Sequence, residues 1–286
     1  MAIKSKNPLV KPILKWVGGK RQLLEEIVPL IYPNASTYVE PFIGGGSVLF
    51  ATQPKKAIIN DDNKELINVY KVIKSAPEDL IALLNIHSQQ NSSEYFYDLR
   101  SLDRTADKYE QMNEIEKAAR IIFLNKTCYN GLYRVNSSGQ FNTPYGKYKN
   151  PNIVDATTIR AISHYFNTAT IKILEGDYKK ALKGIRKGAF VYLDPPYMPI
   201  SESSSFTGYT AFGFDINQQE QLRDECIKLH NKGIKFLQSN SDCEEIKELY
   251  SDRSIFKIKH VQARRNINSK ATKRGAISEV LIYNDF

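Results

Sequence analysis

The sequence predicts an α/β fold, an open sheet whose strands alternate with helices and which is interrupted by a mainly helical insert. The first observation is a set of short apolar runs, typical of buried strands, that end in glycine turns or acidic residues. The second is a change of pattern between residues 68 and 165, where apolar residues recur at helical spacing. Ligands of open α/β sheets bind at the carboxyl ends of the strands, so the polar residues there form the candidate site.

Length and composition limit the class of protein. The chain has 286 residues, of which 42% are hydrophobic and 25% charged, as is ordinary for a globular protein. No apolar run approaches the roughly 18 residues of a membrane span, and the basic N-terminus lacks the apolar stretch of a signal peptide. Three cysteines without a C-x-x-C pair and four histidines argue against a disulfide framework and a metal site. We expect a cytoplasmic protein with no metal and no membrane association.

Positive charge is concentrated in three stretches of the chain. The net charge is +9, and residues 1–21, 126–149 and 253–274 contain Lys and Arg but no acidic residue. Basic stretches that are separated along the chain suit a polyanion contacted by several loops. A charged face that only keeps the protein in solution is the alternative.

A short apolar stretch precedes residues 15–20, KWVGGK, which contain a Gly-Gly turn. A helix is predicted after it, over residues 22–31. Gly18 and Gly19 would let the backbone approach a ligand closely. Trp16, the sole tryptophan, could stack on that ligand, although a place in the core is the usual one for such a residue.

A strand, a glycine turn and a second strand come next. The first strand leads into residues 40–46, EPFIGGG, and then into a helix. This is a nucleotide-type βα turn that matches neither G-x-G-x-x-G nor a P-loop, and Glu40 would be well placed for a cationic group. The second strand, 56–61, ends at Asp61, at the distance where an acid can bind ribose hydroxyls, with Asp62 as its competitor.

The insert combines helices with a β-hairpin. Its three predicted helices cover 76–91, 94–104 and 113–126. Alternation on either side of residues 137–139 predicts the hairpin, and the segment 129–148 carries four tyrosines, an arginine and several amides but no acidic residue. Such a hairpin can enter a major groove, where Arg134 could read a guanine edge. An ordinary surface hairpin is the alternative.

The alternating α/β pattern resumes after the insert. Predicted strands cover 171–174, 190–193, 235–240, 255–261 and 277–284, with helices over 179–185 and 216–232. Asp177 could accept a hydrogen bond from the adenine amine of a cofactor, and Tyr178 could pack on its ring. Asp177 could instead cap the helix that follows it. The Ser/Gly/aromatic stretch 198–214 is expected to form a mobile flap.

Residues 194–197, DPPY, close a buried strand and suit a reaction at a flat exocyclic amine. Asp194 can accept one N–H bond from such an amine and the Pro195 carbonyl can accept the other, which favours the developing positive charge. Tyr197 offers a face on which a base can stack. Taken alone, the motif could also be a strand that ends in a Pro-Pro turn with a capping aspartate.

These strand ends together indicate S-adenosylmethionine and a nucleic-acid base. The sulfonium is a preactivated methyl donor, so that neither a metal nor a covalent enzyme intermediate is needed. Methylation of a cytosine ring carbon would need a cysteine nucleophile, and Cys128, Cys226 and Cys243 have no such setting. We therefore expect methylation of an exocyclic amine.

Nearly the whole chain resembles a DNA adenine-N6 methyltransferase of the Dam/DpnM type, within the α-group amino-methyltransferases. The resemblance rests on segments that occur in the family's order, namely 15–20, 40–46, 60–61, 129–136 with 141–146, and 194–197. It implies a Rossmann-like S-adenosylmethionine-dependent methyltransferase sheet built from residues 1–67 and 166–286. Residues 68–165 would then form the inserted, mainly helical target-recognition domain that bears the β-hairpin.

The resemblance also implies the site residues. Those that would hold the flipped adenine are Asp194, Pro195, Pro196 and Tyr197. Those that would bind the cofactor are Trp16, Gly18, Gly19, Lys20, Glu40, Pro41, Phe42, Gly44, Gly46, Asp61, Asp177, Tyr178 and Asp194. Those that would bind DNA are Lys15, Tyr129, Asn130, Leu132, Arg134, Asn136 and Pro144. Among the last, Arg134 and Lys15 would read guanines, and Leu132 and Pro144 would contact the thymine methyl group. Tyr129 and Asn130 would sit in the space that the adenine leaves.

The implied substrate is double-stranded DNA with the sequence GATC, and the implied by-product is S-adenosylhomocysteine. A monomer is expected, acting beside a cognate restriction endonuclease without a stable complex. One alternative is an amino-methyltransferase that acts on RNA, on a protein glutamine amide or on another DNA sequence. The other is a catalytically inactive DNA-binding regulator. The basic hairpin argues against a protein substrate, and the intact DPPY motif and glycine turn argue against the inactive regulator.

Overall fold

A seven-stranded mixed sheet organises the protein, with strand order β3-β2-β1-β4-β5-β7-β6. A computed structural model describes residues 6–198, 214–264 and 276–284. The strands are β1 (Thr37–Glu40), β2 (Lys56–Asp61), β3 (Thr170–Glu175), β4 (Ala189–Leu193), β5 (Lys235–Ser241), β6 (Lys257–Arg264) and β7 (Ala276–Tyr283). The flap expected at 198–214 lies almost wholly outside the described residues, as do residues 1–5 and 265–275 of the basic stretches.

Strand direction places the candidate site at one edge of the sheet. β1 pairs in parallel with both β2 and β4, and β4 pairs in parallel with β5. β7 is antiparallel to its neighbours β5 and β6. The strand order reverses at β1, which is the point where open α/β sheets bind ligands beyond the carboxyl ends of the strands. Glu40 and Asp194 stand there, at the ends of β1 and β4.

Helices cover the sheet on both faces. They are α1 (Leu24–Ile27), α2 (Ser47–Thr52), α3 (Lys64–Ser75), α4 (Pro77–Gln89), α5 (Ser93–Ser101), α6 (Ala106–Gln111), α7 (Glu114–Thr127), α8 (Ala156–Thr168), α9 (Lys179–Leu182), α10 (Ile216–Asn231) and α11 (Glu244–Leu249). Side-chain caps fix the starts of several of the longer helices. Asn63 caps α3, whereas Asn113 and Asp215 form capping boxes at α7 and α10. Among the described residues, no helix is long and apolar enough to cross a bilayer.

The core alternates between the two faces of the sheet, as the two-residue period of a strand requires. In β4, Phe190 and Tyr192 join a cluster with the apolar faces of α3, α4, α7 and α8. Val191 and Leu193 point the other way and pack with α9, α10 and α11. The helices of the insert therefore bury their apolar sides in the same core as one face of the sheet.

Most strands lie within two residues of their predicted bounds, but β6 is displaced. It was predicted over 255–261 and is found at Lys257–Arg264. The backbone N–H groups of Ile255 and Phe256 donate to the carbonyl of Asp252, so these residues close a turn before the strand starts. Helix α9 also ends earlier than predicted, at Leu182 rather than at residue 185.

Two predicted helices are broken in the structure. The predicted helix over 22–31 is a 3₁₀ turn, the single turn α1 and a second 3₁₀ turn over Val28–Leu30. Pro29 lies in that last turn and has no N–H to continue an α-helix. The predicted helix over 94–104 ends as α5 at Ser101, and a 3₁₀ turn over Leu102–Arg104 follows. Helices α6, α8 and α11 were not predicted.

The predicted β-hairpin is a folded loop rather than a pair of strands. Its turn covers residues 136–140, and isolated antiparallel bridges join Val135 to Phe141 and Cys128 to Tyr145. Two backbone hydrogen bonds cross between its arms, from the Asn136 N–H to the Gln140 carbonyl and from the Asn142 N–H to the Arg134 carbonyl. The pairing does not extend further because Pro144 has no N–H to donate to the opposite arm. Side chains from outside bind the backbone groups on the other edge. Asp103 accepts from the N–H of Phe141, and Arg100 donates to the carbonyl of Thr143. We call residues 129–146 the recognition segment.

Candidate active site

A cleft of about 260 Å³ opens at the carboxyl ends of β1 and β4. Its walls are two glycine turns and two acidic strand ends. They comprise Val17, Gly18, Gly19, Lys20, Glu40, Ile43, Gly44, Gly45, Ser47, Val48, Tyr192 and Asp194. Segments that lie far apart in the sequence thus meet at one place, with two carboxyl groups and one ammonium group among their side chains.

Lys20 occupies the space between Asp194 and Tyr197. Its Nζ lies 2.8 Å from Asp194 Oδ1 and donates to the Gly18 carbonyl at 2.6 Å. The same ammonium group lies 4.6 Å from the centroid of the Tyr197 ring. Lys20 is 6% exposed, so this charge is largely removed from water and held by its three neighbours. The sequence placed Lys20 with the cofactor residues and did not indicate this ion pair.

Neighbouring strands hold the Asp194 carboxylate and the Tyr197 ring from outside the motif. Ser239, on β5, donates to Asp194 Oδ1 at 2.8 Å. The Tyr197 hydroxyl donates to Glu279 Oε2, on β7, at 2.7 Å. Hydrogen bonds on both groups limit their rotation, so the carboxylate and the ring face the same space. The sequence analysis missed Glu279, because nothing in its own sequence context indicates Tyr197, in the turn after β4, as its partner.

Buried amides support the backbone of the turn after β4. Gln219, on α10, donates to the Pro196 carbonyl at 3.0 Å and accepts from Asn240 Nδ2 at 3.0 Å. Asn240 Oδ1 accepts from the Met198 N–H at 3.3 Å, and the Ser241 hydroxyl donates to the Met198 carbonyl at 2.7 Å. The run of polar residues at 239–241, which ends a buried strand, was a signal for this network. The sequence contains no such signal for Gln219, because its sequence neighbours are polar residues, as on an exposed helix face.

Glu40 is a buried carboxyl group at the bottom of the cleft. It is 2% exposed and accepts a hydrogen bond from the Tyr38 hydroxyl at 2.7 Å. Burial raises the pKa of Glu40 well above its usual range, and the nearby Asp194 carboxylate raises it further. Because the negative charge is costly here, a cationic group in the cleft would favour the ionised form.

Asp61 ties the second glycine turn to the end of β2. Its Oδ2 accepts from the Gly44 N–H at 3.0 Å and its Oδ1 accepts from the Asn63 N–H at 3.0 Å. Burial raises the pKa of Asp61 to about 6. Gly44 and Gly46 have positive φ angles of 47° and 72°, which only glycine adopts without strain in most contexts. The turn therefore passes close to Asp61 without side chains in the way.

Phe42, Asp177 and Tyr178 lie together beyond the end of β3. The rings of Phe42 and Tyr178 stack at 5.1 Å and 27°. Asp177 Oδ1 accepts from the Lys179 N–H at 2.8 Å, although the residue that precedes helix α9 directly is Tyr178. The Tyr178 hydroxyl is buried without a hydrogen-bond partner among the described residues.

Trp16 lies between the glycine turn and the recognition segment. Its ring stacks on Tyr133 at 4.6 Å and 25°. Methyl groups added at Gly44 and Gly45 would lie 3.1 and 3.2 Å from Trp16, so the turn also packs against it closely. One face of the indole is therefore already covered by a residue of the insert. Tyr133, to which the sequence gave no role, is thus in direct contact with Trp16, one of the predicted cofactor residues.

The first residues of the recognition segment are exposed. Tyr129 is 57% exposed, and Asn130 has a φ of 58°, in the left-handed region that non-glycine residues seldom adopt. The exposed Arg134 donates from Nε to Asn142 Oδ1 at 2.8 Å, which leaves its terminal nitrogens for other partners. The Asn136 side chain accepts from the N–H groups of Ser138 and Gln140 and so shapes the 136–140 turn, while its contact with DNA stays a prediction.

A buried ion pair holds the recognition segment from behind. Arg120, on α7, is 1% exposed and pairs with Asp103 at 2.9 Å. Asp103 accepts in turn from the Phe141 N–H at 2.8 Å, and Arg104 donates to the Phe141 carbonyl at 2.8 Å. None of these three charged residues was singled out in the sequence. Asp103 and Arg104 bind backbone groups of Phe141, 38 and 37 positions away, and Arg120 binds Asp103 and the carbonyls of Leu99 and Arg100.

Comparison with known proteins shows the family of the chain. Residues 16–267 match the family described as D12 class N6 adenine-specific DNA methyltransferase. The chain is 48% identical to type II methyltransferase M1.LlaDCHI of Lactococcus lactis subsp. cremoris, over 99% of each chain. It is 42% identical to type II methyltransferase M.MjaIII of Methanocaldococcus jannaschii, over 96% of this chain and 99% of the relative.

A third relative is named differently. The chain is 31% identical to a DNA adenine methylase of Salmonella typhi, over 95% of this chain and 94% of the relative. The family match covers most of the chain, and these relatives align along almost their entire lengths. The chain therefore belongs to the D12 class of N6 adenine-specific DNA methyltransferases.

Proposed function

We propose that this adenine-N6 DNA methyltransferase takes its methyl group from S-adenosylmethionine bound across the cleft between β1 and β4. The observation that carries the proposal is the meeting of a glycine-lined cleft with Asp194 and Tyr197 at one edge of the sheet. When bound, S-adenosylmethionine supplies an electrophilic methyl group on a positively charged sulfur. S-Adenosylhomocysteine would be released.

The residues present fit such a nucleoside with a positive charge. Glu40 and Asp61 supply acidic groups, and Gly44 and Gly46 supply backbone that no side chain covers. The stacked rings of Phe42 and Tyr178, beyond the end of β3, supply aromatic surface. The residues proposed to hold the cofactor are Trp16, Gly18, Gly19, Lys20, Glu40, Pro41, Phe42, Gly44, Gly46, Asp61, Asp177 and Tyr178.

Asp194, the Pro195 carbonyl and Tyr197 are proposed to bind the target adenine. Asp194 would accept one N–H bond of the exocyclic amine and the Pro195 carbonyl the other, which localises the nitrogen lone pair for attack. Pro196 fixes the turn, and Tyr197 would stack on the base. Lys20 now lies where that base would stand, so its ammonium group would have to leave Asp194 before the base binds. The surplus proton would pass to solvent.

The base cannot be reached while stacked in a duplex, so it must be flipped out of the helix. The exposed start of the recognition segment, Tyr129 and Asn130, is proposed to fill the space left behind. Arg134 and Lys15, both exposed, would read guanines, and Leu132 and Pro144 would contact the thymine methyl group. The proposed target is GATC, read by an insert of residues 68–165 between the two parts of the methyltransferase domain, 1–67 and 166–286.

The cellular setting is also a proposal. Two relatives carry the name type II methyltransferase. By analogy, this enzyme would protect DNA beside a cognate restriction endonuclease, as a monomer and without a stable complex. The proposed location is the cytoplasm.

Labelled methyl transfer to two matched duplexes tests the proposal, one with a single GATC and the other with GTTC in its place. We expect label only on the first, and none with Asp194→Ala, which should still bind the duplex. Label on both duplexes would discard GATC and keep the enzyme class. Full activity of Asp194→Ala would remove Asp194 from the proposed mechanism.

A further inference from the structure

Asn125 joins the recognition segment to the first glycine turn through three hydrogen bonds. Its Oδ1 accepts from the Lys15 N–H at 3.0 Å, and its Nδ2 donates to the Lys15 carbonyl at 2.9 Å. The same Nδ2 donates to the Gly131 carbonyl at 3.1 Å. Asn125 is 1% exposed, so one side-chain amide, out of water, is paired with backbone groups of both segments.

Direct packing continues this connection on both sides. A methyl group added at Gly131 would lie 2.6 Å from Cδ of Lys15, so the lysine side chain lies against the start of the recognition segment. The next residue, Trp16, stacks on Tyr133 and packs on Gly44 and Gly45. Tyr133 in turn meets the edge of Phe141, at 5.7 Å. The contacts are therefore continuous from the recognition segment to the glycine turn at Gly44 and Gly45.

We propose that Asn125 and the Trp16–Tyr133 stack make cofactor binding and DNA binding cooperative. A ligand that fixes the glycine turn also fixes Trp16, and through it the recognition segment; DNA that fixes the recognition segment does the same in reverse. Such coupling is reciprocal, so each ligand raises the affinity for the other by the same factor. This inference rests on the proposed function, and Asn125 acts in it as a positioning residue that touches neither reactant.

Asn125→Asp is the most direct variant. It keeps the acceptor for the Lys15 N–H and loses both donors, to the Lys15 and Gly131 carbonyls. Asn284→Asp is the matched control. Asn284 is 3% exposed, accepts from the Phe236 N–H and donates to the Ile234 carbonyl, in a part of the sheet away from both segments. A general cost of placing a carboxylate in such a site should therefore affect both variants.

Tyr133→Leu tests the stack independently, in case Asn125→Asp does not fold. It removes the ring that covers Trp16, whereas Tyr133→Phe keeps a ring in the same place and should preserve the coupling. Thermal unfolding of each variant checks that the fold is retained. A role limited to stability would lower the unfolding temperature without changing the coupling factor.

The measurement is the dissociation constant of a GATC duplex with and without saturating S-adenosylhomocysteine, at one fixed salt concentration. For the wild type, Asn284→Asp and Tyr133→Phe we expect the by-product to tighten DNA binding by about fivefold or more. For Asn125→Asp and Tyr133→Leu we expect a ratio near one, while each ligand alone still binds within about threefold of the wild type.

Three results would overturn the inference. The wild type could show a ratio of one, the variants could keep the wild-type ratio, or Asn284→Asp could lose it as well. Failure of the proposed function looks different, because S-adenosylhomocysteine would then not bind at all, or the wild type would not methylate the duplex. Normal methylation with an unchanged ratio in both variants would therefore contradict only the coupling.

Discussion

At the scale of single residues, burial sets the chemistry of the cleft more than the choice of side chain does. Asp61 accepts two backbone N–H bonds, which favour its carboxylate form, yet burial outweighs them and raises its pKa from 3.8 to about 6. The folded-state pKa lies above the unfolded one. Asp61 therefore favours the folded state most below pH 4, and this contribution is lost as the pH rises to 6.

The same pKa predicts pH-dependent cofactor binding. If the Asp61 carboxylate accepts from ribose hydroxyls, the affinity for S-adenosylhomocysteine should fall about tenfold between pH 7 and pH 5, as the group protonates around pH 6. Calorimetric titrations across that range measure the slope. Asp61→Asn should bind more weakly at pH 7 and show a shallower slope. Equal slopes in both proteins would contradict the role of Asp61.

At the scale of elements, the recognition segment depends on α7 and on the end of α5 for its shape. We predict that Asp103→Ala destabilises folding by about 3 kcal/mol, because it leaves the buried Arg120 guanidinium without its partner. Chemical denaturation measures the change. Glu78→Ala is the control, since its ion pair with Arg160 is exposed to solvent and should contribute nothing measurable. Similar losses in both variants would contradict the importance of burial.

Helix α10 is predicted to support catalysis through the side-chain amide of Gln219. Gln219→Leu removes the donor to the Pro196 carbonyl, so the turn that carries Asp194 and Tyr197 should shift. We expect kcat to fall by about tenfold to a hundredfold, with a smaller change in KM for DNA, because misplacement mainly affects the reacting geometry. Gln221→Leu, at an exposed position on the same helix, should keep wild-type kinetics. Steady-state methylation assays compare the two, and equal kcat values would contradict the prediction.

At the scale of the whole molecule, the sequence predicts the sheet better than the contacts that complete the site. Strands β1 to β4 were predictable because each is an apolar run that ends at or beside an acidic residue, and the bounds of β2 agree with the prediction. The DPPY turn and the glycine turns were recognisable because their residue types are needed by the chemistry. Gln219, Glu279 and Asn125 were not, because each gains its role from a segment that only folding brings near.

Local signals also failed where tertiary contacts replaced regular structure. The recognition segment has the alternation of a hairpin, yet its arms pair only over a short stretch, and Asp103 and Arg104 bind the backbone groups of Phe141 that face away from the opposite arm. Helix α8 contains β-branched and aromatic residues that disfavour an isolated helix, and packing of Ile159, Ile162 and Phe166 into the core stabilises it.

The shared core predicts that the insert and the sheet unfold together. Tyr38 and Phe190 of the sheet belong to the same apolar cluster as Leu84 and Phe123 of the insert, so neither part keeps a complete core alone. Trp16, the sole tryptophan, lies at the junction and reports tertiary contacts, whereas far-ultraviolet circular dichroism reports the helices, many of which lie in the insert. We expect both signals to change in one transition with the same midpoint in urea. Loss of the Trp16 signal at a lower urea concentration than the helical signal would show instead that the insert folds on its own.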